Sequence, residues 1–386
     1  MYEVDGRGPT VTIQGRCLLN LGGNDYLGLS GDSRLADAVA SAASTSGVGS
    51  GASRLICGTG SIHTAFESRF AAFKHAEAAL LFPTGYMANL AVISGLAGDG
   101  DLVALDKLCH ASLIDGARLS GAEVRVYPHL HTEKLVRLLS RHQARHPDRR
   151  RLVVTDSVFS MDGDVADLQR LAGIADDHNA ALIIDEAHAT GIFGQRGSGM
   201  VEAQHVSDSP HISISTASKA MGCLGGMIAG PRCVIDTLVN RGRSFIYTTA
   251  PPATQVAAID AALSIIESQP QLRERLMSLT TAARQAVADA FPHLLPPTLL
   301  DIVNQATPDL PSHRATPILP LVVGTEVRAM SLTMHMVNHD LFAPAIRPPT
   351  VPPGQARVRI SLRADHPDDV IARLMAAIRT WPDHTS

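Results

Sequence analysis

Leu182-Ile183-Ile184-Asp185-Glu186-Ala187-His188-Ala189-Thr190-Gly191 is the stretch on which the fold turns. Three apolar residues run into an acid, and a turn-rich segment follows. This reads as a buried strand whose C-terminal end carries a carboxylate. Working outward, strand-like runs stand at 79–82, 102–105, 123–127, 152–155, 181–184, 212–215 and 226–229. Helical patterns at 87–98, 131–145 and 167–178 lie between several of them. Such alternation predicts an α/β fold with a doubly wound, mostly parallel sheet. A sheet of that kind offers ligands the C-terminal ends of its strands, where Asp185 stands.

At 386 residues the chain is long for a single core, which predicts one large and one smaller domain. Residues 1–45 read as an N-terminal arm, with a hairpin of 11–13 and 17–21 around Gly15. Residues 46–245 read as the large domain, beginning with a glycine-rich stretch, 46–60, expected to be irregular. Residues 246–386 read as a smaller α+β C-terminal domain. After Pro251-Pro252 it is helical to about residue 290, and Pro296, Pro297, Pro308 and Pro311 mark an irregular stretch. Strands follow at 318–323, near 343–346 and at 357–362, with helices at 327–340 and from about 367.

The apolar share is 45% and the charged share 18%, as in globular proteins. A net charge of −4 and the lack of a basic stripe argue against nucleic acid as a partner. The five cysteines show no C-x-x-C spacing, so neither a disulfide framework nor a zinc site is expected. No apolar run reaches the length of a membrane span, and the first residues lack the features of a signal peptide. These features predict a cytoplasmic protein.

Only four residues are lysine: Lys74, Lys107, Lys134 and Lys219. Lys219 ends Ser215-Thr216-Ala217-Ser218-Lys219, and Ala220, Met221, Gly222, Gly225 and Gly226 follow. Small neighbours leave room for a ligand, and a desolvated lysine amine forms imines readily. A carboxylate at one strand end and a scarce lysine after a hydroxyl-rich run suit pyridoxal phosphate. The lysine forms the imine, the acid faces the ring nitrogen, and hydroxyls with glycine amides hold the phosphate. Asp-Glu-Ala-His also matches the magnesium box of a helicase family. That reading requires G-x-x-x-x-G-K-[ST], and none of the four lysines follows a glycine. Gly47-Val48-Gly49-Ser50-Gly51-Ala52 is a weak dinucleotide match that follows no strand.

Taken singly, each residue has a plainer reading. Asp185 could cap a helix, and Lys219 could be a solvated surface lysine. Lys74, Lys107 and Lys134 stand in ordinary polar contexts. Phe82-Pro83-Thr84-Gly85-Tyr86-Met87-Ala88-Asn89 runs strand, turn, helix. Its amides suit a phosphate, or it is an ordinary βα turn. His110 could stack on a flat cofactor and His188 could reach its ring hydroxyl, although lone histidines are usually structural.

With these residues in hand, the chain resembles the α-oxoamine synthases, pyridoxal-phosphate enzymes of fold type I. The likeness covers nearly the whole chain. It is carried by Asn24-Asp25-Tyr26-Leu27-Gly28-Leu29, Gly49-Ser50-Gly51, Asp106-Lys107-Leu108-Cys109-His110-Ala111-Ser112, Val158-Phe159-Ser160-Met161-Asp162-Gly163-Asp164 and the stretches around Asp185 and Lys219. The resemblance implies Lys219, His110 and Asp185 as catalytic residues. It implies Ser160 and His188 near the cofactor's ring hydroxyl, and Gly85, Tyr86 and Thr216 around the cofactor and its phosphate. Arg359 would hold the amino-acid carboxylate, with Asn24 and Thr350 as further substrate contacts. A homodimer sharing its active sites is implied as well.

Within the family, Ile346-Arg347-Pro348-Pro349-Thr350-Val351-Pro352 and the run 113–122 are most similar to the biotin-pathway branch. That branch condenses L-alanine with a pimeloyl thioester, of coenzyme A or of a carrier protein, and releases CO₂. The alternative is a sister activity on glycine and another acyl-CoA. Two departures stand out. Asp156 occupies a position where the family usually has Glu. Members also carry a helix before the hairpin, with a basic group for the acyl substrate. Here Met1 stands at the hairpin, so either residues precede it or Arg7 or Arg347 takes that part.

Overall fold

The computed structural model describes residues 4–6, 8–304 and 315–383. The chain forms two compact units. The larger contains residues 32–159 and 165–268, and the smaller combines 1–31, 160–164 and 269–386. This division differs from boundaries at 45 and 246. Helices Ser33–Ser46 and Ala253–Ser268 both belong to the larger unit, where they pack against each other.

In the smaller unit, β1 (Thr10–Ile13) and β2 (Arg16–Asn20) pair antiparallel. Gln14 and Gly15 join them with positive φ at both, the two-residue turn whose twist matches that of the strands. The larger unit holds β3 (Ala78–Phe82), β4 (Leu102–Asp106), β5 (Glu123–Tyr127), β6 (Arg151–Asp156), β7 (Ala181–Asp185), β8 (Ile212–Thr216) and β9 (Gly226–Gly230). They form one sheet in the order β3-β9-β8-β7-β6-β4-β5. Its neighbours from β5 to β8 pair parallel, and β9 runs antiparallel to both β8 and β3. The sheet is thus mostly parallel, as expected. Val103, Leu105, Val154, Ile183, Ile214 and Ile228 form its core with Ala88 and Val92 of helix Gly85–Leu96. Strands buried on both faces need no polar alternation, which is why they read as continuous apolar runs. β5 and β6 lie on opposite sides of β4, so the strand order reverses there. Crevices open at such a reversal, outside the C-terminal strand ends.

The rest of the smaller unit contains β10 (Ile318–Gly324), β11 (Leu341–Phe342), β12 (Ala345–Ile346) and β13 (Ala356–Ser361). β13 pairs antiparallel with β10 and β12, and β11 joins β2 in parallel. Helices Pro270–Ala290, Glu326–Asn338 and Val370–Thr380 complete the α+β pattern. A helix, Pro297–Asn304, starts where irregular chain was expected. A proline is tolerated at the first turn because its missing N–H would be unused there. Pro308 and Pro311 lie outside the described residues. The glycine-rich stretch 46–60 is not wholly irregular either. It holds a π-helical turn, Arg54–Gly58, whose Arg54 forks onto Glu67 at 2.8 and 3.0 Å. No described helix is long and apolar enough to cross a membrane.

His366 is expected to make the smaller unit acid-sensitive. Its Nε2 lies 2.9 Å from the Asn20 carbonyl oxygen, and Nδ1 accepts the Arg363 N–H at 3.2 Å. Burial pushes its pKa down from 6.5 to about 4. The unfolded chain therefore takes up this proton at a higher pH than the fold does. The contribution to stability is complete above about 6.5 and is lost as pH falls toward about 4, amounting to about 3 kcal/mol. Urea titrations at pH 7 and pH 4.5 are expected to show a larger loss in the native chain than in His366→Gln. Equal losses would remove His366 as the cause.

Candidate active site

The C-terminal ends of the central strands, with the turns beyond them, enclose a cleft of about 250 Å³. Asp185 ends β7 there and is buried. Its Oδ1 accepts the Ala187 N–H at 2.9 Å, and its Oδ2 accepts from Asn89 Nδ2 at 2.8 Å. On the neighbouring strand, Asp156 stands in register with Asp185. Burial, reinforced by the charge of Asp185, holds the Asp156 carboxyl well above the usual carboxylate range. Its Oδ2 accepts the backbone N–H of His110 at 2.9 Å.

His110 caps helix Ala111–Ser120, and its Nδ1 lies 2.6 Å from Ser112 Oγ. Burial lowers the pKa of the imidazole, and Lys219 adds to the effect against the carboxylates. His188, buried, also lines the cleft.

Lys219 lies on the turn that links β8 to β9 and is half-buried. Two backbone bonds close the turn: Ala217 N–H to Gly225 O at 2.9 Å and Cys223 N–H to Ala217 O at 2.8 Å. The Thr216 hydroxyl sits 2.9 Å from Gly225 O and 2.8 Å from Ser218 Oγ. Of the four lysines, Lys219 alone lines the cleft. Lys107 and Lys134 are exposed. Lys74 is not the ordinary polar lysine its sequence context suggested. It is buried, paired with Glu186, and donates to the Ser198 carbonyl at 2.6 Å.

One wall is the start of helix Gly85–Leu96, where Thr84 Oγ1 accepts the Met87 N–H at 3.2 Å. A helix N-terminus presents unpaired N–H groups and positive dipole to an anion. Gly226 lets β9 approach this wall. A Cβ at Gly226 would stand 2.3 Å from the Thr84 carbonyl oxygen and 2.7 Å from Gly85 Cα. Gly226→Ala is expected to push the wall outward and weaken phosphate binding on the order of tenfold or more. Equilibrium dialysis against pyridoxal phosphate measures this, and unchanged affinity would refute it. Tyr86 lines the cleft but is half exposed, and its hydroxyl donates to Asp115 at 2.7 Å.

Four of the residues singled out from the sequence belong to the smaller unit. Arg359, on β13, is buried. Its Nε donates to the Ser160 carbonyl at 2.6 Å, and its Nη1 to Asn24 Oδ1 at 3.0 Å and Ser361 Oγ at 2.8 Å. Ser160 thus serves Arg359 through its backbone, and its side chain is not among those lining the cleft. Arg357 pairs with Asp162, and Arg363 with Asp25 and Asp365. Among the described residues, Arg359 has no carboxylate partner. Its neighbours there are neutral hydrogen-bond acceptors. Thr350 is exposed, its N–H bonded to the Arg347 carbonyl at 3.0 Å. Arg347 is exposed and Arg7 lies outside the described residues.

Asn89 and Ser112 also line the cleft, and sequence reasoning assigned neither a role. The only hint of Asn89 is an amide inside a helix whose neighbouring residues are apolar. The donor set suits pyridoxal phosphate. A buried carboxylate faces one side of the cleft, an amine rises from a turn, and a helix start with nearby hydroxyls can take a phosphate. No group of three metal-ligating side chains gathers among the described residues.

The model for aminotransferase class I and II matches residues 16–378. A curated relative from Anaeromyxobacter sp. (strain K), named 8-amino-7-oxononanoate synthase, is 43% identical over 380 residues, 97% of this chain and 90% of its own. The solved serine palmitoyltransferase of Sphingomonas wittichii superposes with a TM-score of 0.88 at 28% identity, covering 97% of this chain and 90% of that one. Another solved serine palmitoyltransferase, at 28% identity, holds PLP. The solved 8-amino-7-oxononanoate synthase of Francisella tularensis gives 0.75 at 26% identity, covering 94% and 96%. The chain belongs to the class I and II aminotransferase family and, within it, to the α-oxoamine synthases, acyltransferases that depend on pyridoxal phosphate.

Proposed function

We propose that the protein is an 8-amino-7-oxononanoate synthase of biotin biosynthesis. It would join L-alanine to the pimeloyl group of a thioester of coenzyme A or a carrier protein, with release of thiol and CO₂. The relatives' name supports the pathway. The observation that carries an amino-acid substrate is Arg359, a buried guanidinium among neighbours whose charges are already paired.

Pyridoxal phosphate, when bound, supplies an electron sink for negative charge at the amino-acid Cα. Lys219 would anchor the cofactor, and its amine would take the proton from the substrate Cα and later return one. Asp185 would keep a proton on the ring nitrogen, His110 would lie against the ring, and His188 and Ser160 would serve its hydroxyl side. Gly85, Tyr86 and Thr216 hold the phosphate end. Arg359, whose Nε and Nη1 hydrogens go to Ser160, Asn24 and Ser361, would meet the alanine carboxylate through Nη2, with Asn24 and Thr350 as further substrate contacts. The same reading expects a cytoplasmic homodimer with shared active sites, which light scattering of the purified holoenzyme checks for size.

The deciding assay combines alanine, glycine and serine with pimeloyl-, acetyl-, succinyl- and palmitoyl-CoA and follows thiol release. Alanine with pimeloyl-CoA is expected to be fastest. Faster turnover of glycine with another acyl group would move the protein to a sister activity.

A further inference from the structure

Asn89 and Ser112 are buried at the floor of the cleft. Asn89 Nδ2 lies 2.8 Å from Asp185 Oδ2 and 2.8 Å from Ser112 Oγ. Ser112 Oγ lies 2.6 Å from His110 Nδ1, and the Ser112 backbone N–H reaches the same nitrogen at 3.3 Å. One line of hydrogen bonds therefore runs from Asp185 through Asn89 and Ser112 to His110.

The direction of that line follows from which atoms can donate. A carboxylate oxygen only accepts, so the Asn89 amide turns Nδ2 toward Asp185. Ser112 Oγ receives the other N–H of Asn89, which leaves the hydroxyl proton to be given away. The acceptor in reach is His110 Nδ1, and the Ser112 backbone N–H points at the same atom. A proton on Nδ1 would set N–H against N–H and strand the hydroxyl proton in a buried place. Nδ1 is therefore bare, and the ring proton sits on Nε2.

We infer that Asn89 and Ser112 are positioning residues that hold His110 as its Nε2–H tautomer and tie it to Asp185. Such an imidazole offers the cleft a hydrogen-bond donor. It suits a substrate carbonyl or carboxylate oxygen and cannot take the Cα proton, which leaves that task to Lys219. This chemical meaning rests on reading the cleft as the reaction site, whereas the tautomer stands on the hydrogen bonds alone.

The test uses holoenzyme with ¹⁵N-labelled imidazole rings and long-range ¹H–¹⁵N correlation, His110 being assigned by its loss in His110→Asn. A protonated Nε2 and a bare Nδ1 are expected. Nδ1–H in the native chain would overturn the inference, whether or not any acyl and amino pair turns over. In Ser112→Ala the His110 signals are expected to move toward exchanging tautomers. kcat is expected to fall on the order of tenfold with the amino-substrate KM little changed, since orientation and proton placement serve the reacting state. Ser112→Thr, which keeps the hydroxyl, is expected to restore the tautomer signal. An unchanged His110 in Ser112→Ala would remove Ser112 from the role. The native-chain measurement needs no variant, so a variant that fails to fold does not spoil the test.

Discussion

Lys219→Ala is expected to lower turnover at least on the order of 10⁴-fold, because in the proposed function one side chain both anchors the cofactor and moves the Cα proton. No other lysine can replace it. Lys74 has its amine held by Glu186 and the Ser198 carbonyl, and Lys107 and Lys134 stand in solvent. The variant keeps Thr84, Gly85 and Thr216, so it should still bind pyridoxal phosphate, reversibly and without a covalent link. Borohydride reduction of the native holoenzyme followed by peptide mass spectrometry should place the label on Lys219. A label on Lys74, Lys107 or Lys134 would overturn the assignment.

Asp185→Asn should cost on the order of 10²- to 10⁴-fold in turnover while leaving the sheet intact. The substitution changes volume little at the end of a buried strand, so packing is kept. A neutral amide cannot hold a proton on the ring nitrogen, and the electron sink weakens. It also offers an N–H where Ala187 N–H and Asn89 Nδ2 now find acceptors. Exchange of the alanine Cα hydrogen into deuterium oxide isolates this step from acyl transfer. Near-native exchange in the variant would refute the role given to Asp185.

Most strands of the central sheet were legible because they are buried and show as apolar runs between turn residues, while the edge strand β5 is partly exposed and shows instead as an alternation of charged and apolar residues. Asp185 stood out because it ends an apolar run where the sheet offers its strand ends, and Lys219 because it is one of four lysines and follows a hydroxyl-rich stretch. What stayed hidden depends on contacts far apart in sequence. Lys74 looks like any lysine after a helix until Glu186, 112 residues on, is found against it. The π-helical turn at Arg54–Gly58 follows no hydrophobic period, and the Arg54 fork onto Glu67 helps to hold it. The boundary near 246 misled because helix Ala253–Ser268 follows a proline pair, the ordinary sign of a new domain, yet packs on helix Ser33–Ser46. Asn89 carries no sequence signal strong enough to separate it from a tolerated amide in an apolar helix. Its importance appears only when Asp185 and Ser112 are seen on either side of it.

The lysine distribution also bears on how the protein meets a reactive aldehyde. All but four of the 33 basic side chains are arginine, and a guanidinium does not condense with pyridoxal phosphate as an amine does. Of the lysines, one is locked in a buried pair and two lie on the surface. Excess cofactor therefore meets few side-chain amines outside the cleft. An arginine-rich exterior keeps its charge while giving a carbonyl reagent little to capture, so outside the cleft the side chains open to decoration by stray cofactor are Lys107 and Lys134.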